Sequence, residues 1–384
     1  MTNNINDINN IYRTSLLVDL NTVRENYTNI KKYLSGMEVF AVIKADAYGT
    51  GAEEVAGALL KVNVDGFAVS CLAEAIPLLK YEKPIQILGA VFDFELPIAV
   101  EHDLILAIAD EKTAERISRE AVKQNKTVEC YFKLDTGMGR FGMTPEEALQ
   151  KIPEIIKYPN LSCCGIFSHL PAAGEGDESA LNREQERKFL LVLSELEKRS
   201  ITFKHIHFSN SPGMNSCEFV RKSPFTRARI GLCLHGLYDD GPRTVPLTPT
   251  MKLVSRLASV RWMKKGSTVG YSRTHTLEED TLVGLVAAGY ADGVPLALSN
   301  CGSMLFRGKK CKILGRISMD YTAISLQEFA GEQNIPETGE KVTLLGTDGK
   351  ETVSVYDWAE IKKTHPYEIL CALSPRVARV YLNK

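Results

Sequence analysis

The segment Ala41-Val42-Ile43-Lys44-Ala45-Asp46-Ala47-Tyr48-Gly49 decides the fold. Val39–Ile43 is a continuous apolar run with β-branched residues, which reads as a strand buried on both faces of a parallel sheet. A lysine stands where that strand ends. Tyr48, Gly49 and Gly51 follow, and then a helical pattern over Glu53–Leu60. In a β/α barrel, residues at the C-terminal ends of strands face the active site. A lysine there, with apolar surroundings to lower its pKa, can form a Schiff base. Taken alone, the same lysine reads as a surface residue at a strand end, so the rest of the chain has to decide.

Outward from this segment the pattern alternates steadily. Strands are expected at Thr14–Asp19, Gly66–Val69, Ile85–Leu88, Ile105–Ile108, Glu129–Leu134, Cys163–Ser168 and Ile206–Ser209. Helices are expected from Asn21, as N-cap, to about Leu34, and at Glu53–Leu60, Leu72–Leu79, Phe94–Glu101, Glu111–Gln124, Pro145–Ile155 and Glu178–Lys198. So many β/α units in series favour a closed barrel over an open sheet. No Gly-x-Gly-x-x-Gly follows an early strand, which disfavours a dinucleotide-binding domain. The texture changes near Leu237–Pro249, where Asp239-Asp240-Gly241-Pro242 is turn chemistry. Beyond it lie short strand-like runs at Met251–Arg261, Leu282–Ala288, Ser303–Phe306, Lys312–Leu314, Ala323–Leu326 and Lys341–Leu345, with one helical stretch at Val355–Ile361. The fold class is therefore α/β: an N-terminal (β/α)8 TIM-like barrel followed by a C-terminal mostly-β domain. The expected boundaries are a disordered tail over 1–12, the barrel over 13–246 and the β-domain over 247–384.

With 384 residues, 44% of them hydrophobic and 24% charged, the chain has an ordinary globular composition. A net charge of -1 gives no electrostatic reason to bind nucleic acid or an anionic membrane. No apolar run is long enough to cross a bilayer, and the Asn-rich start lacks the apolar core of a signal peptide. The nine cysteines include no CxxC pair, and Cys163 and Cys164 are adjacent. Reduced thiols in the cytoplasm fit this better than a disulfide framework or a zinc site, and no metal is expected.

Nine motifs in order give the chain a family resemblance. They are Val-Ile-Lys-Ala-Asp-Ala-Tyr-Gly (42–49), Lys-Leu-Asp-Thr-Gly-Met-Gly-Arg-Phe-Gly (133–142), Phe-Ser-His (167–169), Ser-Asn-Ser (209–211), Arg-Ile-Gly (229–231), Val-Gly-Tyr (269–271), Gly-Tyr-Ala-Asp-Gly (289–293), Gly-Arg-Ile-Ser-Met-Asp (315–320) and Pro-Tyr-Glu (366–368). Together they resemble the alanine racemase family of pyridoxal-phosphate enzymes, from about Thr14 to Tyr381. The resemblance implies that Lys44 carries the cofactor and serves as base on one face of the substrate. It makes Tyr271, supplied by the partner chain of a homodimer, the base on the other. A free phenol has a pKa near 10, so His169, tied to Arg229, is the family's candidate to assist it. Arg229 matches the arginine facing the cofactor's pyridine nitrogen. A guanidinium donates and does not give up its proton, so it leaves that nitrogen unprotonated and discourages side reactions.

The same resemblance assigns the cofactor phosphate to Tyr48, Ser211 and Tyr367, with Gly231 and Leu232 as backbone donors. It gives Arg140 and the backbone N–H of Met319 to the substrate carboxylate, and places Tyr290 at the entrance. Lys133 matches a lysine that is carbamylated in much of the family. A carbamate is anionic and would hold Arg140, whereas a plain lysine would repel it. The implied role is interconversion of L- and D-alanine in the cytoplasm, supplying D-alanine for peptidoglycan.

The chain departs from the family pattern at four places. Thr50 replaces a common histidine, and Leu-His-Gly at 234–236 replaces Leu-Tyr-Gly. Gly174 stands for an aspartate and Leu296 for an arginine of the substrate corridor. The last two leave open a serine or broad-specificity amino-acid racemase. Related decarboxylases of basic amino acids need a cysteine and an acid where Tyr271 and Arg229 stand. Non-catalytic cofactor carriers resemble a lone barrel, without the second domain.

Overall fold

The computed structural model describes residues 12–239 and 241–384. The expectation of a tail therefore falls outside the described residues over 1–11, as does Asp240 of the expected turn. The chain divides into two compact units. One, the barrel unit, comprises Thr22–Ala47 and Ala52–Pro249; the other takes the described part of Met1–Asn21, Tyr48–Gly51 and Thr250–Lys384.

β1 (Ser15–Asp19) is not a barrel strand, contrary to its placement within 13–246. It pairs antiparallel with Met251–Met263 and parallel with Ala378–Leu382. The following helix starts at Leu20, one residue before the expected cap, and the Asp19 carboxylate accepts the Asn21 N–H at 2.9 Å. The barrel closes through eight other strands: β2 (Glu38–Val42), β3 (Gly66–Val69), β4 (Ile85–Ile87), β5 (Ile105–Ile108), β6 (Val128–Lys133), β7 (Leu161–Phe167), β8 (His205–His207) and β9 (Arg227–Ile230). Neighbours are parallel, and β9 returns to β2 with Glu38 opposite Arg227. β9 has no place among the strands expected from sequence. Its alternating arginines hide a fully buried strand, because its charges point inward.

Helices at Ala52–Leu60, Glu111–Lys123, Pro145–Ile155 and Ala180–Glu197 follow β2, β5, β6 and β7. Their starts have local causes. The Asp110 carboxylate accepts the Thr113 N–H, and Thr144 with Glu147 forms a capping box ahead of Pro145. The helix expected over Leu72–Leu79 stops at Ala75, and a 3₁₀ stretch, Ile76–Tyr81, continues with Pro77 in its first turn.

In the other unit, Met251–Met263 is a long strand with register shifts, pairing with β1, Thr281–Val286 and Lys341–Asp348. Ser303–Phe306 and Lys309–Lys312 form a hairpin whose two loop residues, Arg307 and Gly308, both have positive φ, at 46° and 75°. The strand expected at Lys312–Leu314 is thus earlier and belongs to this hairpin. No helix of the described residues is long and apolar enough to cross a membrane.

Inside the barrel, Gly165 on β7 lies against Tyr131 on β6. A Cβ there would sit 2.3 Å from Tyr131 Cδ1. The Tyr131 hydroxyl is fixed by Glu129 at 2.6 Å and Arg227 at 2.7 Å, so the ring cannot swing away. Gly165→Ala should therefore cost about 1–3 kcal/mol in denaturant unfolding. Gly331→Ala, where nothing lies within 4 Å, should stay within about 0.5 kcal/mol of the parent. Equal effects would contradict this packing.

Candidate active site

Lys44 follows β2 and opens a left-handed turn. Ala45, Asp46, Ala47 and Tyr48 all have φ between 51° and 58°, and Gly49 has 81°. Left-handed geometry costs a non-glycine residue about 1–2 kcal/mol, so the turn needs external support. Within the barrel unit, Glu74 accepts the Ala45 N–H at 2.7 Å, Asp46 accepts the Ala52 N–H at 2.7 Å, and Ile43 O accepts the Ala47 N–H at 2.9 Å. Tyr48–Gly51 belongs to the other unit. There the Tyr48 ring lies 5.7 Å from the Tyr367 ring, and Arg379 Nε donates to Gly49 O at 2.9 Å. A Cβ on Gly49 would meet Leu370 O at 2.8 Å. The sequence reading of a simple glycine-containing turn missed this backbone, since nothing in Ala-Asp-Ala-Tyr announces positive φ.

The barrel interior behind Lys44 is unusually polar. Residues two apart on a strand share a face, and three strands use this: Arg227 and Arg229, His205 and His207, Tyr131 and Lys133. Arg229 is buried. Its Nη1 donates to His207 Nδ1 at 2.5 Å and its Nη2 to Ser168 O at 2.7 Å, and it makes no ion pair with a described carboxylate. An acceptor Nδ1 requires a neutral His207. Burial, Arg229 and Arg227 push its pKa well below the ordinary histidine value. His207 also stacks on Phe167 at 4.9 Å. Burial, Arg227 and Arg140 lower Arg229 itself to about 9, so it remains charged at neutral pH. Sequence reading tied Arg229 to His169 and did not single out His207. The His-x-His alternation on a strand was the available signal.

His169 is half-buried. Burial and the positive charges of Arg229, Lys133, Arg140 and Lys44 drive its pKa well down, so it is neutral. Lys133 is buried, with Nζ donating to Leu134 O at 3.2 Å and lying 4.9 Å from the Phe167 ring centre. Burial, Arg229 and Arg140 pull it down to about 7. Arg140 sits on an exposed loop organised by Asp135. That carboxylate accepts N–H groups from Gly137, Met138, Gly139 and Arg140 at 2.8–3.1 Å. Burial opposes ionisation of Asp135, yet these donors hold its pKa below the usual range.

Ser211 is buried at the start of the helix Ser211–Ser216, which Asn210 caps through Gly213 N–H. Its Oγ accepts the N–H of Gly231 at 3.1 Å and of Cys233 at 3.4 Å. Gly231 N–H is therefore engaged, whereas Leu232 N–H donates to no described residue. The set fits an anionic cofactor. Lys44, Lys133, Arg140 and Arg229 act on one imidazole, and hydroxyl and amide donors lie at a strand end, where phosphates are commonly held.

In the other unit, Tyr271 is 69% exposed and follows Gly270, whose φ is 76°. It lines a cleft of about 470 Å³ with Arg316, Ser318 and Tyr321. Met319 is also exposed. Its carbonyl accepts the Ala291 N–H at 3.0 Å, and its N–H donates to no described residue. Gly289–Asp292, which carries Tyr290, is braced by Arg376. That arginine binds Asp292 at 2.6 Å and Asp320 at 2.8 Å, a clamp the sequence reading missed. Leu296 is exposed in a 3₁₀ turn.

The Lys133 environment sets a pH dependence. Its folded pKa, about 7, lies below its ordinary 10.5. Between those values the unfolded chain binds a proton that the folded chain refuses, so this group makes stability rise with pH. Below 7 the folded state carries the full cost; above 10.5 it carries none. In CO₂-free buffer, Lys133→Met should stabilise the protein most below pH 7, with the gain vanishing above about pH 10.5. A gain that does not depend on pH, read by denaturant titration, would overturn this.

Two family models match the chain: the alanine racemase N-terminal domain over residues 18–239 and the C-terminal domain over 250–381. Alanine racemase of Halothermothrix orenii is 34% identical over 374 residues, covering 96% of each chain. That of Streptococcus uberis is 34% identical over 384 residues, covering 98% of this chain and all of its own. Among solved structures, alanine racemase from Clostridium difficile aligns with a TM-score of 0.89 at 30% identity, covering 97% of this chain and 96% of that one. The Bacillus anthracis alanine racemase with bound L-Ala-P aligns at 0.87 and 29% identity, covering 97% and 96%.

Proposed function

The chain belongs to the alanine racemase family, and on that premise we propose that it interconverts L- and D-alanine with pyridoxal 5'-phosphate, as a cytoplasmic homodimer supplying D-alanine for peptidoglycan. The observation that carries the reading is Arg229: a buried guanidinium held by a neutral histidine and a carbonyl, with no described acid beside it. Bound there, the cofactor supplies an electron sink that acidifies the substrate's α C–H. Arg229 offers its ring nitrogen a donor that cannot accept a proton, which favours prompt return of the proton to carbon. Lys44 attaches the cofactor and moves the proton on one face; Tyr271 of the partner subunit moves it on the other. His169, neutral, assists the phenol.

Ser211, Tyr48 and Tyr367 hydroxyls, with the Leu232 amide, hold the phosphate, and the Gly231 amide joins them by exchanging its bond to Ser211 Oγ for one to the phosphate. Arg140 and the partner's Met319 N–H orient the substrate carboxylate, and Tyr290 guards the entrance. Lys133 is carbamylated. Its depressed pKa leaves a fraction of neutral amine to capture CO₂, and the resulting anion holds Arg140.

Sharing of the site between chains is testable by mixing. Lys44→Ala and Tyr271→Phe homodimers should each be inactive. Hybrids should carry one intact site, so equal mixing should restore about a quarter of parental activity, given random two-fold pairing. No recovery despite demonstrated subunit exchange would mean that each chain supplies its own tyrosine.

Substrate preference follows from Gly174 and Leu296. With the corridor's acid and base both absent, a hydroxyl on the substrate meets less constraint. Apolar pockets discriminate such changes by only about 1–3 kcal/mol. Chiral analysis of holoenzyme incubations should find alanine racemised best and serine at a measurable rate. The alanine-to-serine ratio of kcat/KM should rise in Gly174→Asp/Leu296→Arg. Inert alanine would refute the function, and an unchanged ratio would refute the corridor.

A further inference from the structure

The opposite end of the barrel, where the strands begin, holds a second cluster of reactive side chains. Glu129 on β6, Cys164 on β7 and His205 on β8 bring a carboxylate oxygen, Sγ and an imidazole nitrogen within 4.8 Å of one another. The register of β7 explains the meeting. Cys163 pairs with Cys130 and Gly165 with Tyr131, so Cys164 is an extra residue against β6. Such a bulge re-aims a side chain. No CxxC spacing announces this group, because its members come from three strands.

The surroundings orient the imidazole. His205 is buried, with Nδ1 3.1 Å from Glu38 Oε2 and Nε2 4.0 Å from Glu129 Oε1. A carboxylate behind one ring nitrogen fixes the other as a ligand, the usual support of metal-bound histidine. Arg227 Nη2 lies 2.9 Å from Nδ1 and 2.7 Å from Glu38; it donates to Glu38 when Nδ1 carries the ring proton, and that is the tautomer that leaves Nε2 as the ligand. Tyr131 donates to Glu129 at 2.6 Å and accepts from Arg227 at 2.7 Å. Glu38 and Glu129 side chains keep 43% and 40% exposure, so an ion has a path from solvent.

We propose that Cys164 Sγ, His205 Nε2 and the Glu129 carboxylate bind a zinc ion, with water in the fourth position, clipping β6, β7 and β8 together. Mixed sulfur, nitrogen and oxygen donors suit zinc and exclude magnesium or calcium. Ligand atoms around a tetrahedral zinc stand about 3.3–3.8 Å apart, so the side chains draw in by about 1 Å on binding. Burial and Glu129 keep the Cys164 thiol protonated when no ion is present, at about 11. Binding forms the sulfur–zinc bond and releases that proton to solvent. The thiolate and Glu129 then balance the ion's charge.

The test uses the full-length protein freed of any affinity tag. Equilibrium dialysis against zinc should leave one ion per chain after desalting, and zinc should raise the melting temperature. Cobalt(II) should give a thiolate-to-metal absorption band in the near ultraviolet. Cys164→Ser should abolish the band and the thermal shift, and Glu129→Gln, which keeps a partner for Tyr131, should weaken cobalt binding at least tenfold. If Cys164→Ser does not fold, the Glu129→Gln affinity decides. Substoichiometric zinc in the parent, a band that persists in Cys164→Ser, or unchanged cobalt affinity in Glu129→Gln overturns the proposal.

Discussion

Arg229 is a guanidinium buried in the barrel with no described carboxylate beside it, and it finds its acceptors in a histidine and a carbonyl. Much of the site's electrostatics follows. His207 must stay neutral to accept. Lys133 and His169 lose affinity for protons, through burial first and then through the same positive charge. Replacing His207 by a carboxylate would offset the charge of Arg229 and relieve its share of both shifts, leaving the larger share due to burial. The interior is thus tuned toward excess positive charge at the strand ends, where it is worth most to an incoming anion.

How much of this was legible depended on whether a residue's role is written in its own segment. The lysine strand, the β/α alternation and the switch to a strand-rich second half could be read directly, because periodicity and apolar runs are local. β1 and β9 were exchanged for a physical reason. Thr14–Asp19 has the apolar content of a barrel strand but finds its partners in Met251–Met263 and Ala378–Leu382. Arg227–Ile230 looks too charged for an interior that turns out to be charged. The Asp135 nest and the Arg376 clamp escaped because each joins ordinary residues through the folded backbone. The left-handed run after Lys44 escaped because its supports, Glu74 and Asp46 among them, act through geometry that composition does not record.

The two ends of the barrel divide their work. At the strand ends, burial and neighbouring like charges pull the pKa values of His207, His169 and Lys133 down. At the strand starts, opposite charges compensate: Glu38 is lowered to about 2, chiefly by its bond to His205 and also by Arg227. Tyr131 and Phe40 separate the two layers, with the Arg227 guanidinium 3.8 Å from the Phe40 ring centre.

That connected layer has a consequence for how the chain can vary. Glu38, Arg227, His205, Tyr131 and Glu129 each rely on at least one of the others for a partner. Effects of substitutions within such a network do not sum. Removing one member strands its neighbour as an unpaired polar group, while a second, matched removal relieves part of that cost. The five positions therefore form a block whose members are tolerated or lost together, and a route between two such barrels that changes them singly passes through less stable intermediates.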